Sequence, residues 1–119
     1  MDELENFRKL KVWQKARIFT VKIYKVTDSF PKQEQYGLTS QIRRASVSII
    51  ANIAEGTKRK TVKDRKHFLV MSDTSLEEVK CYLILCYDLK YLNEEQGKEL
   101  MTDAREIGRM LNGFANSIK

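Results

Sequence analysis

Apolar residues recur at the spacing of an amphipathic helix in four successive segments of the chain. In the first segment they are Val12, Ala16, Phe19, Ile23, Val26 and Phe30, spaced 4-3-4-3-4. In the last they are Leu100, Ala104, Ile107, Leu111, Phe114 and Ile118, with the same spacing. One face of an α-helix repeats every three to four residues, so this pattern predicts helices rather than strands.

The two middle segments follow the same rule. The second stripe is Leu38, Ile42, Ala45, Ile49 and Ile53, and the third is Phe68, Ser72, Ser75, Val79, Leu83 and Cys86. The chain of 119 residues contains one Pro and five Gly, which leaves few positions for turns. Long helices with short connections are therefore expected, and the small residues of "SDTS" are the weakest stretch of the third helix.

Residues that start or stop helices lie between these segments. Pro31 ends the first helix, which we expect to run from about Leu10 to Ser29. Gly56 suits a left-handed cap at the end of the second. Thr61 and Asn93 each precede an acidic or amide residue three positions later, the spacing of a capping box, and so open the third and fourth helices. The third helix has no break before residue 91.

Four amphipathic helices without an alternating strand pattern predict one architecture. We expect an all-α protein folded as an antiparallel up-down-up-down four-helix bundle, with residues 1–119 forming a single domain. The chain is long enough for one hydrophobic core and too short for two domains of ordinary size.

The second helix carries a second apolar set on another side. Its members are Val47, Ile50, Ala51 and Ala54. A helix in a monomeric bundle needs only one buried stripe, so a second one predicts a homo-oligomer with these four residues at the subunit interface. The alternative is that the second helix is central and touches two helices of its own bundle.

Positive charge is concentrated after the second helix. The net charge is +6, and "GTKRKTVKDRKH" holds six cations against one acidic residue. The candidate nucleic-acid-binding residues are Arg43, Arg44, Lys58, Arg59, Lys60, Lys63, Arg65 and Lys66. Cations at a helix N-terminus oppose the helix dipole, which favours a phosphate-binding role over a merely solvated helix start. For Arg43 a structural salt bridge is an equal alternative.

Residue patterns for catalysis or metal binding are missing from the sequence. His67 is the only histidine, and Asp73 with Glu77 resembles an ordinary solvated pair on a helix surface. We predict no enzymatic activity, no metal and no cofactor. Cys81 and Cys86 are expected to be buried or half-buried thiols, too far apart around a helix to form a disulfide.

Two further expectations concern location and one polar side chain. No stretch reaches the roughly 18 apolar residues of a membrane-spanning helix, and the N-terminus does not resemble a signal peptide. The sequence therefore predicts a cytoplasmic protein. Asn52 borders the core stripe and is expected to have a structural role, hydrogen-bonded to a partner helix or to the loop after Gly56.

Several stretches resemble a known family. They are "LKVWQKA", "IYKVTDSFPKQEQYGLTSQIRRASVSIIANIAEG", "FLVMSDTSLEEVKCYL" and "LKYL". In order and spacing they resemble the four-helix-bundle proteins encoded in intervening sequences of bacterial 23S ribosomal RNA genes. The resemblance implies a bundle that forms ring-like oligomers, pentamers among them, without an assigned enzymatic activity. The chain also looks similar to the accessory protein of diversity-generating retroelements, which associates with nucleic acid. Thr74 and Ser46 depart from the residues expected in the family, glycine and alanine respectively.

Together these observations predict a non-enzymatic, homo-oligomeric protein that binds nucleic acid, RNA in preference to DNA, through its basic surface. The alternative is a scaffold or accessory protein whose basic surface recognises an acidic protein partner. A hydrolase would need a second histidine or a cluster of metal ligands.

Overall fold

Four α-helices form most of the protein. The computed structural model describes residues 5–119, in which the helices are α1 (Lys11–Thr27), α2 (Leu38–Thr57), α3 (Val62–Asp88) and α4 (Glu94–Ser117). Short 3-10 turns, Asn6–Lys9 and Lys32–Glu34, precede α1 and α2. The described residues contain no strand. The all-α prediction is confirmed.

The helices pack in the order of the chain. α1 lies against α2 and α4, α3 lies against α2 and α4, and α2 and α3 share the most extensive contact. The molecule measures 44 × 29 × 23 Å, and its long axis matches the length of α3, about 40 Å for 27 residues. Each predicted stripe supplies the core, with Phe19, Ile49, Val79 and Ile107 at most 1% exposed. The four-helix bundle is therefore confirmed.

The starts of α3 and α4 match the capping signals in the sequence. Thr61 Oγ1 accepts a hydrogen bond from the Asp64 backbone N–H at 3.1 Å. Asn93 Oδ1 accepts from the Gln96 N–H at 2.8 Å, and Gln96 Oε1 accepts from the Asn93 N–H at 3.0 Å. These bonds satisfy donors that a helix N-terminus otherwise leaves unpaired.

The predicted role of Gly56 is wrong. No described glycine has a positive φ, and α2 continues through Gly56 to Thr57. Gly56 is instead buried where α2 meets α3: a Cβ atom there would lie 3.3 Å from Phe68 Cβ and 3.4 Å from the Arg65 carbonyl oxygen. The missing side chain allows a close helix crossing. Among residues 5–119 the one left-handed residue is Lys90, after α3, with φ of 65°.

Small residues line the contact between α2 and α3. Ser72 Oγ donates to the Ile49 carbonyl oxygen at 2.8 Å, and Ser75 Oγ donates to Ser48 Oγ at 2.8 Å. The stretch predicted as the weakest part of α3 thus hydrogen-bonds directly to α2. Asn52 Nδ2 donates to the Ser48 carbonyl oxygen at 2.9 Å, so its partner is its own helix rather than the predicted neighbour or loop.

The close approach at Gly56 gives a testable difference between two glycines. Gly56→Val should lower the free energy of unfolding by about 1–3 kcal/mol, because the new side chain collides with α3. Gly113→Ala should raise it by about 0.5–1 kcal/mol, because a Cβ on Gly113 meets nothing within 4 Å and alanine favours the helix. Urea denaturation measures both changes. Equal effects at the two sites would contradict the close contact at Gly56.

Glu34 links the α1–α2 connection to the α3–α4 connection, and both lie at the end of the bundle opposite the α2–α3 connection. Its Oε1 accepts from the Leu38 N–H at 3.2 Å, which caps α2, and its Oε2 accepts from Tyr91 OH at 2.8 Å. That hydrogen bond is the main reason why the pKa of Tyr91 is raised. A Cβ atom on Gly37 would lie 2.9 Å from Glu34 Oε1, so a side chain there would shift the Glu34 carboxylate from this position.

Candidate nucleic-acid interface

Six of the predicted cations lie together at one end of the bundle. We call this group the cationic end: Lys58, Arg59, Lys60, Lys63, Arg65 and Lys66. They belong to the connection from α2 to α3 and to the first turns of α3. All but Arg59 are exposed. Within residues 5–119 none of the four lysines forms an ion pair, so their charges face solvent uncompensated.

Two lysines on α1 differ from those of the cationic end because they form ion pairs with carboxylates. Lys22 Nζ lies 2.9 Å from Asp103 Oδ2 and 3.0 Å from Glu99 Oε1. Hydrogen bonds to Asp103 and then to Glu99 raise the pKa of Lys22. Lys15 Nζ lies 3.4 Å from carboxylate oxygens of both Asp103 and Glu106. Acidic residues of α4 thus neutralise Lys15 and Lys22, whereas in the described residues no carboxylate pairs with the four lysines of the cationic end.

The two arginines of the cationic end are held in place. Arg59 forms an ion pair with Glu55, one turn earlier, and its guanidinium lies 4.5 Å from the centre of the Phe68 ring. Arg65 Nε donates to the Arg59 carbonyl oxygen at 2.8 Å. The arginines therefore fix the shape of the loop, and the mobile lysine side chains supply its unpaired charge.

The other two predicted cations lie elsewhere. Arg44 lies thirteen residues before the end of α2, which places it about 20 Å along the helix from the cationic end. Arg43 is committed to α1: its Nε donates to Thr27 Oγ1 at 2.8 Å, its Nη2 donates to Asp28 Oδ1 at 3.1 Å, and it lies 4.6 Å from the centre of the Tyr24 ring. Arg43 is a structural link between α1 and α2. Arg44 is exposed, far from the cationic end.

The second apolar set on α2 is only partly covered. Ile50 and Ala54 are half-buried and pack against the core, as expected for a helix that touches both α1 and α3. Val47 is 40% exposed, and Ala51 is exposed as well. On α1, Val21 is 48% exposed and follows Thr20, whose hydroxyl donates to the Ser46 carbonyl oxygen of α2 at 3.3 Å. The α1–α2 face, defined as Val21, Val47, Ile50, Ala51 and Ala54, remains open.

A crevice of about 430 Å³ opens among the helix ends beside the cationic end. Apolar side chains from every helix or its flank line it: Leu10, Ile53, Leu69, Phe114 and Ile118. Two exposed cations, Arg65 and Lys119, also line it. The sequence does not reveal this site, because its members come from separate segments and only the fold brings them together.

The residues considered for catalysis or metal binding lie on the surface. His67 is exposed, with its ring 5.7 Å from that of Phe68. Glu77 pairs with Lys80 at 3.4 Å, and Asp73 is exposed. Across residues 5–119 no group of three or more His, Cys, Asp or Glu side chains could hold a metal ion. None of the described helices combines the length and the apolar character needed to cross a membrane.

The two cysteines differ, and the prediction that both are at least half-buried is wrong for Cys81. Cys81 is exposed and Cys86 is buried, and both are free thiols. Burial raises the pKa of the Cys86 thiol to about 11. Cys81 lies on the outer side of α3. The sequence does not show this, because apolar residues surround Cys81 on all sides of the helix.

This difference predicts selective labelling. At pH 8 a water-soluble thiol reagent should react with one thiol per folded chain, because Cys86 is inaccessible and only on the order of a thousandth of it is thiolate. Absorbance of the released product counts the thiols. Cys81→Ser should abolish the fast reaction, and unfolding in guanidinium should restore one thiol. Two fast thiols in the folded protein would contradict the burial of Cys86.

The fold and the exposed cations define a class: a small four-helix bundle with one cationic end. The family model of the 23S rRNA-intervening sequence protein matches residues 8–113, and the chain belongs to this family. It is similar to the crystal structure of a protein of unknown function from the S23 ribosomal protein family of Bacteroides thetaiotaomicron. The two share 27% identity over 89% of this chain and 99% of the other, with a TM-score of 0.80. Among curated proteins there is no significant match.

Proposed function

We propose that this protein is a non-enzymatic, homo-oligomeric RNA-binding protein that contacts phosphates through its cationic end. The observation that carries the proposal is the group of exposed lysines without an ion pair in the described residues, Lys58, Lys60, Lys63 and Lys66. Among the other described lysines, Lys15, Lys22, Lys80 and Lys98 pair with carboxylates and six do not, so the distinctive feature of the cationic end is four unpaired lysines within nine residues. Their isolation here suits a polyanion that arrives from outside.

The position of the lysines also supports a binding role. Lys63 and Lys66 lie in the first turns of α3, where the partial positive charge of the helix N-terminus disfavours cations. Their presence costs helix stability, and a phosphate would offset both charges at once. Flexible lysines contact the backbone rather than base edges, so we expect binding with little sequence preference.

Two further parts of the proposal rest on the family. RNA in preference to DNA is supported by the family description, which names 23S rRNA. A cytoplasmic location follows from an RNA partner. The similarity to the retroelement accessory protein stays a prediction, as does a pentameric ring.

Self-association is supported by the α1–α2 face. Its exposed Val47 and Ala51 continue the half-buried Ile50 and Ala54, so a second copy would cover one continuous apolar surface. An oligomer would also present several cationic ends to one RNA, which raises the overall affinity through multivalency.

Salt dependence tests the proposal directly. If about four lysines contact phosphates, the affinity for a structured RNA should fall about 100-fold between 50 and 200 mM salt, since each contact releases condensed counterions. Fluorescence anisotropy of a labelled RNA hairpin measures this change. No binding at 50 mM salt, or an affinity that does not respond to salt, would contradict RNA binding through the cationic end.

The second candidate function is a protein scaffold. A groove between α3 and α4 is lined by Leu83, Ile84, Tyr87 and Met101, and Ile84 is 56% exposed. Such a groove suits a partner protein, and an acidic partner would also meet the basic surface. Affinity purification with nuclease treatment separates the two functions: protein partners that survive the nuclease favour the scaffold, and partners that are lost favour RNA binding.

A further inference from the structure

We propose that the crevice beside the cationic end takes an unpaired nucleobase, so that the protein prefers RNA with a bulged or looped-out nucleotide over a continuous duplex. This inference rests on the proposed RNA-binding function and gives it a substrate class. It begins from the crevice itself, whose volume of about 430 Å³ lies within the range of pockets that hold small organic molecules, about 300–1,000 Å³.

The walls of the crevice suit a flat aromatic ring. Ile53 of α2 and Leu69 of α3, 0% and 4% exposed, form the floor of the crevice, and the half-buried Phe114 of α4 supplies its accessible aromatic surface. Phe114 is half-buried and packs against the core, which holds its ring in place. Bases of unpaired nucleotides gain binding energy by stacking on such side chains, whereas bases inside a duplex are already stacked and cannot enter.

Polar groups are available for the edge of a base. Thr57 and Ser117 line the crevice, and their hydroxyls donate to the carbonyl oxygens of Ala54 and Phe114, which leaves their oxygens free to accept a hydrogen bond. Asn6 also lines it and carries both an amide donor and an acceptor. The crevice can therefore accept a ring that is apolar on its faces and polar at its edge.

The charges around the crevice decide between possible occupants. Arg65 and Lys119 line it, and among residues 5–119 no acidic side chain does. Arg65 is also a member of the cationic end, where its Nε bonds to the Arg59 carbonyl oxygen at 2.8 Å. One residue thus connects the apolar space to the cluster that would hold phosphates. A nucleotide combines the two features, an aromatic ring joined to an anionic phosphate, and fits this arrangement better than a neutral ligand does.

A comparison of three RNAs tests the inference. Anisotropy titrations at low salt use a blunt RNA duplex, the same duplex with a single bulged nucleotide, and the bulged duplex with an abasic nucleotide at that position. We expect the bulged RNA to bind about tenfold more tightly than the duplex, and the abasic RNA to lose that gain, because only the base stacks in the crevice. The readout is the ratio of the Kd values.

Variants assign the preference to the crevice. Phe114→Ala should reduce the ratio of Kd values to about one, and Ser117→Phe should do the same by filling the space from an exposed position. The second variant serves if the first unfolds, which thermal melting followed by circular dichroism detects. Leu89→Ala removes an apolar side chain that is 45% exposed, at the opposite end of α3 and outside the α3–α4 groove, and should keep the preference.

The possible outcomes separate the inference from the function beneath it. Salt-dependent binding with equal Kd values for the duplex and the bulged RNA overturns the nucleobase site and leaves RNA binding in place. No binding of any of the three RNAs at low salt overturns both. A preference that persists in Ser117→Phe, or that the abasic RNA keeps, also overturns the nucleobase site, since the bulge would then be recognised by its backbone shape.

Discussion

Replacing Lys58, Lys60 and Lys63 by Glu should lower the affinity for RNA roughly 100- to 1000-fold at low salt. The segment from residue 56 to 67 has a net charge of +5, from six cations and one acidic residue, and three reversals change it to −1. Three phosphate contacts are lost and replaced by repulsion, so the slope of log K against log salt should fall by about three.

The same substitutions should leave the fold intact. The three lysines are exposed, and none makes an ion pair among the described residues, so no internal contact is lost. Acidic side chains near the start of α3 also interact favourably with the helix dipole. The melting temperature should therefore stay the same or rise slightly, and a loss of RNA binding could not be attributed to unfolding.

A matched variant distinguishes a local site from the overall charge. Lys25→Glu, Lys32→Glu and Lys90→Glu together change the net charge by the same amount, and all three positions are exposed in the half of the bundle away from the cationic end. This variant should keep its affinity within about tenfold of the wild type, as distant charges are screened. Equal losses in the two triple variants would show that the protein attracts RNA through its net charge and has no defined interface.

Most of the fold could be predicted because each helix is specified locally. The apolar stripe, the N-caps Thr61 and Asn93, and the break at Pro31 are all visible within one segment, and the structure confirms the helices that they predict. The errors concern contacts between segments. Gly56 resembles a helix cap until its closeness to Phe68 is known, because both roles require the absence of a side chain.

In the candidate site, too, features within one segment could be predicted and contacts between segments could not. The cations from Lys58 to Lys66 are contiguous in sequence, so their clustering follows from the chain itself. Arg43 precedes the second apolar set of α2 in the sequence, but only the structure shows that Thr27 of α1 and Asp28, the residue after α1, bind its guanidinium. The crevice could not be predicted from the sequence, because its lining residues come from several separate segments. Local patterns therefore predict charge, whereas shape depends on packing.

Replacing Ala51 by Arg should separate the oligomer into monomers. Ala51 is exposed near the centre of the α1–α2 face, so a single chain tolerates the new side chain, but a second copy packed on that face would have to bury an unpaired charge. Multi-angle light scattering at micromolar concentration should give a mass well above 13.9 kDa for the wild type and close to that value for the variant.

A second substitution controls for the added charge. Val70→Arg introduces the same side chain on α3, outside the α1–α2 face, at a position 63% exposed, and should leave the oligomer intact. A wild type that is already monomeric at micromolar concentration would contradict self-association altogether. Dissociation by Val70→Arg but not by Ala51→Arg would place the interface on another surface.

The monomeric variant also links the two parts of the proposed function. Ala51→Arg adds a positive charge, so electrostatics alone predicts that RNA binds more tightly. If several cationic ends act on one RNA, dissociation should instead weaken binding at least tenfold, since the contacts of neighbouring subunits are no longer held at a high effective concentration. The two effects have opposite signs, and the sign of the measured change therefore decides whether RNA is bound by a single chain or by the assembled oligomer.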